Sequence, residues 1–68
     1  MEKFAKRLKK LREAKNLSVI ALSKEIDIPV STLICWEKGK TKIRKLQRLI
    51  ILAKYFKVTT DYLLGLED

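Results

Sequence analysis

An all-α, compact five-helix domain is predicted from three features of this sequence. Apolar residues recur three and four positions apart in successive short stretches, the spacing that gathers them along one side of a helix. The breaks between stretches carry residues that end or turn helices, namely Asn16, the segment from Asp27 to Pro29, Gly39 and Gly65. No stretch shows the alternation of a half-buried strand, and there is neither an internal repeat nor an interdomain linker. With 68 residues the chain has the length of one small domain, residues 1–68, and no room is expected for a separate sensor domain.

Each element has its own local reason. Phe4, Leu8 and Leu11 define an amphipathic helix over residues 3–15 with its lysines outside, ended by Asn16. Ser18 is placed to cap a second helix whose inward face is Leu22 and Ile26, and the small Ser23 permits close approach of the next helix. Asp27 takes the turn, since aspartate tolerates a left-handed backbone better than most residues. Pro29 suits the first turn of a third helix, with Leu33 and Trp36 inward and Gly39 as the stop. Helices of about eight residues do not stand alone, so the rest of the chain must cover them. Leu46, Leu49, Ile50, Ala53 and Phe56 form the inward set of a fourth helix over residues 45–56. Thr59 caps a last short helix, TDYLL, that stops at Gly65.

Composition removes several classes of function. A single cysteine allows no internal disulfide, and the absence of histidine removes the usual zinc ligand sets, so no metal or cofactor is expected. Cys35 could be reactive, but a lone cysteine on a helix is first of all a small side chain. An enzyme is not expected: there is no histidine, no acid pair in a glycine-rich loop, no nucleophile motif and little room for a pocket. The opening MEKFAKRLKK is too charged for a signal peptide, and no apolar run is long enough to cross a membrane, so a cytoplasmic location and no membrane partner are expected.

The run from Leu17 to Lys40 describes two short helices joined by a tight turn, with the motif at about residues 18–38. Such a unit sets one helix into a DNA groove. The charge distribution agrees. The net charge is +8, yet residues 16–37 carry only Lys24 against Glu25, Asp27 and Glu37, while residues 38–57 carry eight basic groups and no acid. A solvating surface mixes both signs, and a twenty-residue stretch without an acid does not. Basic charge on either side of a nearly neutral helix suits gripping phosphates while the helix itself contributes shape and apolar contact.

The ordered segments KRLKKLREAKNLS, ALSKEIDIP, STLICWEKGK and AKYFKVTTDYLLG resemble the Cro and phage-repressor type of helix-turn-helix family, also called Xre-like. The resemblance covers nearly the whole chain and implies the lambda-repressor-like DNA-binding fold. It places Val30, Ser31, Ile34 and Cys35 against the bases. It implies phosphate contacts at Val19, Thr32, Lys38, Lys40, Lys42, Arg44 and Arg12, and a structural ion pair between Arg12 and Glu37 that leaves Arg12 facing the phosphates. Several positions depart from the family. Val19 stands where a polar residue is usual, Ile20 where an acid is common, Asp27 where glycine is usual, Ile43 where proline is frequent and Ile51 where lysine is frequent. Without proline the loop after the third helix is expected to be freer. On the recognition helix only Ser31 is polar among the outward positions, so bidentate reading of guanine or adenine is not available.

The function expected is that of a sequence-specific DNA-binding transcriptional regulator, a small repressor of phage or mobile-element type. Double-stranded DNA is the partner, bound by a homodimer on a two-fold operator, with thymine methyls read by Val30 and Ile34. The alternative is a protein-binding module of antirepressor or antitoxin type, in which Val19, Val30, Ile34 and Cys35 form one apolar patch. Ile51, with Tyr55 or Leu66, is either packed on the last helix or part of a dimer contact.

Overall fold

The computed structural model describes residues 2–67. Five helices follow one another: α1 (Glu2–Ala14), α2 (Val19–Ile26), α3 (Val30–Glu37), α4 (Leu46–Phe56) and α5 (Thr60–Leu64), with no strand among the described residues. Their starts and stops come from local chemistry. The Ser18 hydroxyl accepts from the Ala21 amide at 3.0 Å and the Thr59 hydroxyl from the Tyr62 amide at 3.0 Å, so both expected caps are formed. Pro29 precedes α3 as its N-cap, one position earlier than expected, and its missing amide costs nothing there.

Four helices end in the same way, through a left-handed residue whose own amide and the next one turn back onto the last carbonyls. In α3 the left-handed residue is Gly39, at φ 71°, and the amides of Gly39 and Lys40 donate to the carbonyls of Trp36 and Cys35. Asn16, Lys57 and Gly65 do the same for α1, α4 and α5. Asp27, at φ 56°, ends α2 with the left-handed turn expected of it.

The core lies where α1 packs on α3 and α5, α2 on α3 and α4, and α4 on α5. Leu8, Leu22, Leu33, Leu52 and Leu63 are fully enclosed. The Phe4 and Trp36 rings meet edge to face at 5.9 Å, which seats α3 on α1. Arg7, near the middle of α1, ties that helix to α5 and the residues after it, stacking on the Tyr62 ring at 4.2 Å and donating to the Tyr62 and Glu67 carbonyls.

Two expectations about α4 and its loop are corrected. Leu46 and Ile50 point outward, 66% and 37% exposed, while Leu52, absent from the expected inward set, is completely buried. Five of the first seven residues of α4 are apolar, so spacing alone permits more than one inward face. The packing of α2 and α5 selects the one centred on Leu49, Leu52 and Phe56. The loop before α4 is also less free than the missing proline suggests. Ile43 is half-buried against the core and pins the loop at its middle.

Candidate nucleic-acid interface

The motif is held by polar bonds at three places. Within it, the Ser23 hydroxyl donates to the Ile28 carbonyl, so Ser23 does more than leave space; it closes the turn between α2 and α3. From outside it, Arg12 at the end of α1 reaches both flanking segments. Its Nε and Nη2 donate to the two Glu37 carboxylate oxygens at 2.8 and 2.9 Å, and its Nη1 to the Leu17 carbonyl at 2.7 Å. One guanidinium thus fixes the entrance of α2 and the exit of α3 relative to α1.

This fork is mostly enclosed, with 12% of the Arg12 side chain and 9% of the Glu37 side chain exposed. The hydrogen bonds Arg12 donates to Glu37 hold its pKa above its already high ordinary value, against the opposing effect of burial, so the charge is permanent. The ion pair expected between these residues is therefore present. Its enclosure leaves Arg12 with three of its N–H groups occupied and little surface, so Arg12 is a positioning group. Lys9 and Lys38 beside it are exposed.

The outer face of α3 is built by default, because Leu33 and Trp36 turn inward. Ser31 and Ile34 are exposed, and Val30, Thr32 and Cys35 are half-buried on either side of them. Directly after the helix, Lys38, Lys40, Lys42, Arg44 and Lys45 are all exposed. Val19, the first residue of α2, is half-buried and faces Ile34 across an open hollow of about 200 Å³. Lys9, Arg12, Glu37 and Lys38 complete its walls. The structure therefore brings Val19, Ile34 and Lys38 together, whereas Lys40, Lys42 and Arg44 stand apart along the loop.

Lys9 is the residue that sequence reasoning passed over. Its signal was its position three residues before Arg12, which puts both on one side of α1. The backbone contributes as well. As the first residues of α2, Val19 and Ile20 have amides without an acceptor inside the helix, and Val19 lines this hollow. Among the described residues no group of three acidic, cysteine or histidine side chains could hold a metal, and no helix is long and apolar enough to cross a membrane.

Comparison with known proteins agrees with this geometry. A helix-turn-helix family model matches residues 8–63. An uncharacterized HTH-type transcriptional regulator of Bacillus subtilis (strain 168), YobD, is 37% identical over 65 residues, which cover 96% of this chain and 57% of the relative. The chain thus spans a little over half the length of that relative. No solved structure matches it.

Proposed function

Because the chain belongs to the helix-turn-helix family of Xre/Cro-like type, we propose that it is a non-enzymatic, sequence-specific DNA-binding transcriptional regulator, a repressor of phage or mobile-element type acting as a dimer on a two-fold operator. One observation carries this reading: an outward face on α3 is followed at once by an exposed basic loop that contains no acid. In this reading α3 enters the major groove. Val30 and Ile34 press on thymine methyls, Cys35 adds apolar contact, and Ser31 bonds a base edge or a phosphate. Lys38, Lys40, Lys42 and Arg44 bind phosphates on one side of the helix. Thr32 and the backbone at the start of α2, beside Val19, take the other side, with Lys9 added.

The face offers one hydroxyl and otherwise apolar groups, so site preference leans toward A·T pairs, with part of the specificity taken from DNA shape. Selection of bound sequences from a random duplex pool tests this. The expected result is an enriched two-fold motif with half-sites about one helical turn apart. A pool that stays unenriched while nonspecific binding persists overturns the sequence-specific reading.

A second reading has its own observation. Ile20 and Ile34 are 59% and 38% exposed on α2 and α3, more apolar surface than a groove-reading face needs. If that face meets protein, Ile34→Ala leaves the ratio of specific to nonspecific DNA affinity untouched. If it reads thymine methyls, that ratio falls by roughly five- to tenfold, equivalent to about 1 kcal/mol.

A further inference from the structure

We propose that α3 reads the C5 methyl group of a pyrimidine without distinguishing thymine from 5-methylcytosine, so that cytosine methylation of DNA creates binding sites for this protein. The inference rests on the DNA-binding reading above and names the chemical group on which that reading depends. The groups that α3 offers outward are the branched side chains of Val30 and Ile34, the Cys35 thiol and the Ser31 hydroxyl. Ile34, at 38% exposed, is the most accessible apolar side chain of the helix.

In the major groove thymine presents an O4 acceptor and a C5 methyl, whereas cytosine presents an N4 donor. Cytosine methylated at C5 therefore combines the apolar feature of thymine with the donor of cytosine. To tell the two apart, a protein needs a group that donates without accepting, or accepts without donating, aimed at that edge. α3 carries one such group, the Glu37 carboxylate, whose type suits the cytosine amino group. The fold withdraws it: both of its oxygens accept from Arg12, at 2.8 and 2.9 Å, and its side chain is 9% exposed. Lys38, which donates without accepting, follows the helix at its far end, while base contacts come from the N-terminal part of a recognition helix. Ser31 remains. A hydroxyl both donates and accepts, so rotation about its C–O bond meets either pyrimidine, or the adenine N6 and guanine O6 of the paired purine.

The direction of the effect follows from the same chemistry. A methyl group placed against a polar reading group buries that group without a partner and lowers affinity. Placed against Val30 or Ile34 it leaves water for an apolar surface, and affinity rises. One buried group of this size is worth about fourfold in affinity, so a site with one such contact in each of two half-sites gains about fifteenfold on methylation. The phosphate contacts proposed for Lys38, Lys40, Lys42 and Arg44 carry no base identity and are the same on methylated and unmethylated duplexes.

Moving the methyl from one base to the other tests the proposal. Random duplex pools of one design are synthesised with thymine and cytosine, with uracil and cytosine, and with uracil and 5-methylcytosine, and each is selected on the full chain at one salt concentration. The first pool should enrich thymine at the positions that α3 reads. In the second, preference at those positions should fall by about fourfold each, since uracil keeps O4 and lacks the methyl. In the third, 5-methylcytosine should take the place of thymine at the same positions. Ile34→Ala and Val30→Ala, with thermal melts to check that the domain remains folded, should each weaken this exchange at the position it contacts. Uracil enriched in the third pool where thymine was enriched in the first overturns the proposal, because O4 is then the group read. An exchange undiminished in both variants overturns it as well, assigning the methyl effect to duplex shape. A motif that is enriched but indifferent to the methyl defeats the methyl reading alone, whereas the absence of any enriched motif from all three pools defeats sequence-specific DNA binding and the methyl reading with it.

Discussion

The segment from Leu17 to Glu37 and the segment from Lys38 to Lys57 are built on opposite principles. The first carries few charges and is held by bonds that reach across the fold: Ser23 to Ile28 inside the turn, and Arg12 to Leu17 and Glu37 from α1. The second carries eight basic groups with no acid, and neither Lys45 at the start of α4 nor Lys57 at its end makes a side-chain cap. Its helix, α4, ends on a left-handed lysine where α3 and α5 end on glycine. In the proposed DNA-binding function the difference separates two tasks. A surface that must match the shape of a groove needs fixed backbone geometry, whereas charges that neutralise phosphates act over several ångströms and tolerate motion.

The strongest way to break the comparison is to remove the packing beneath the first segment. Trp36→Ala should cost about 3–5 kcal/mol and leave so small a domain largely unfolded, because the ring is 3% exposed and packs against Phe4. A melt close to that of the parent would show that α3 does not depend on this contact.

Removal of the fork comes next. Arg12→Ala should cost about 3 kcal/mol, since it leaves the Glu37 carboxylate enclosed without its partner. Replacing both residues with apolar ones, Arg12→Met with Glu37→Leu, should cost less than the single change, because no stranded charge remains. DNA affinity should stay low in the double variant even where stability recovers, since the fork orients α3. Equal affinity for parent and double variant would assign the fork to stability alone.

The second segment invites smaller changes. Lys57→Gly should stabilise by roughly 0.5–1 kcal/mol, a rise of about 2–8 °C in Tm, because glycine adopts φ near 57° without the strain a lysine bears there. Calorimetry checks the sign. Lys40→Ala should leave the melt nearly unchanged, weaken binding to all duplexes alike and reduce the slope of log affinity against log salt by about one unit. An unchanged slope would remove Lys40 from the phosphate contacts.

Much of this molecule is decided locally and is therefore legible in the residues alone. The caps at Ser18 and Thr59, the left-handed turn at Asp27, the stops at Asn16, Gly39 and Gly65 and the inward pairs Leu22 with Ile26 and Leu33 with Trp36 each depend on neighbours within four positions. That local grammar fixes five helices and the outward positions of α3. The pairing of Arg12 with Glu37 was legible only through resemblance to a family, since nothing in the spacing of residues 25 apart brings them together.

Tertiary structure decided what local rules leave degenerate. α4 reads LQRLIILAKYF, apolar on more than one side, and the choice of Leu52 over Leu46 and Ile50 as core belongs to α2 and α5, which cover one side and not the other. Ile43 anchors its loop because a core surface happens to lie beneath it, something no residue next to it announces. The assignment of Arg12 to positioning and of Lys9 to the open wall follows the same logic: both are basic, both lie on one side of α1, and only the depth at which each sits distinguishes a buried fork from a free charge. Periodicity reports which side chains share a face, but burial depends on what the remainder of the chain places opposite that face.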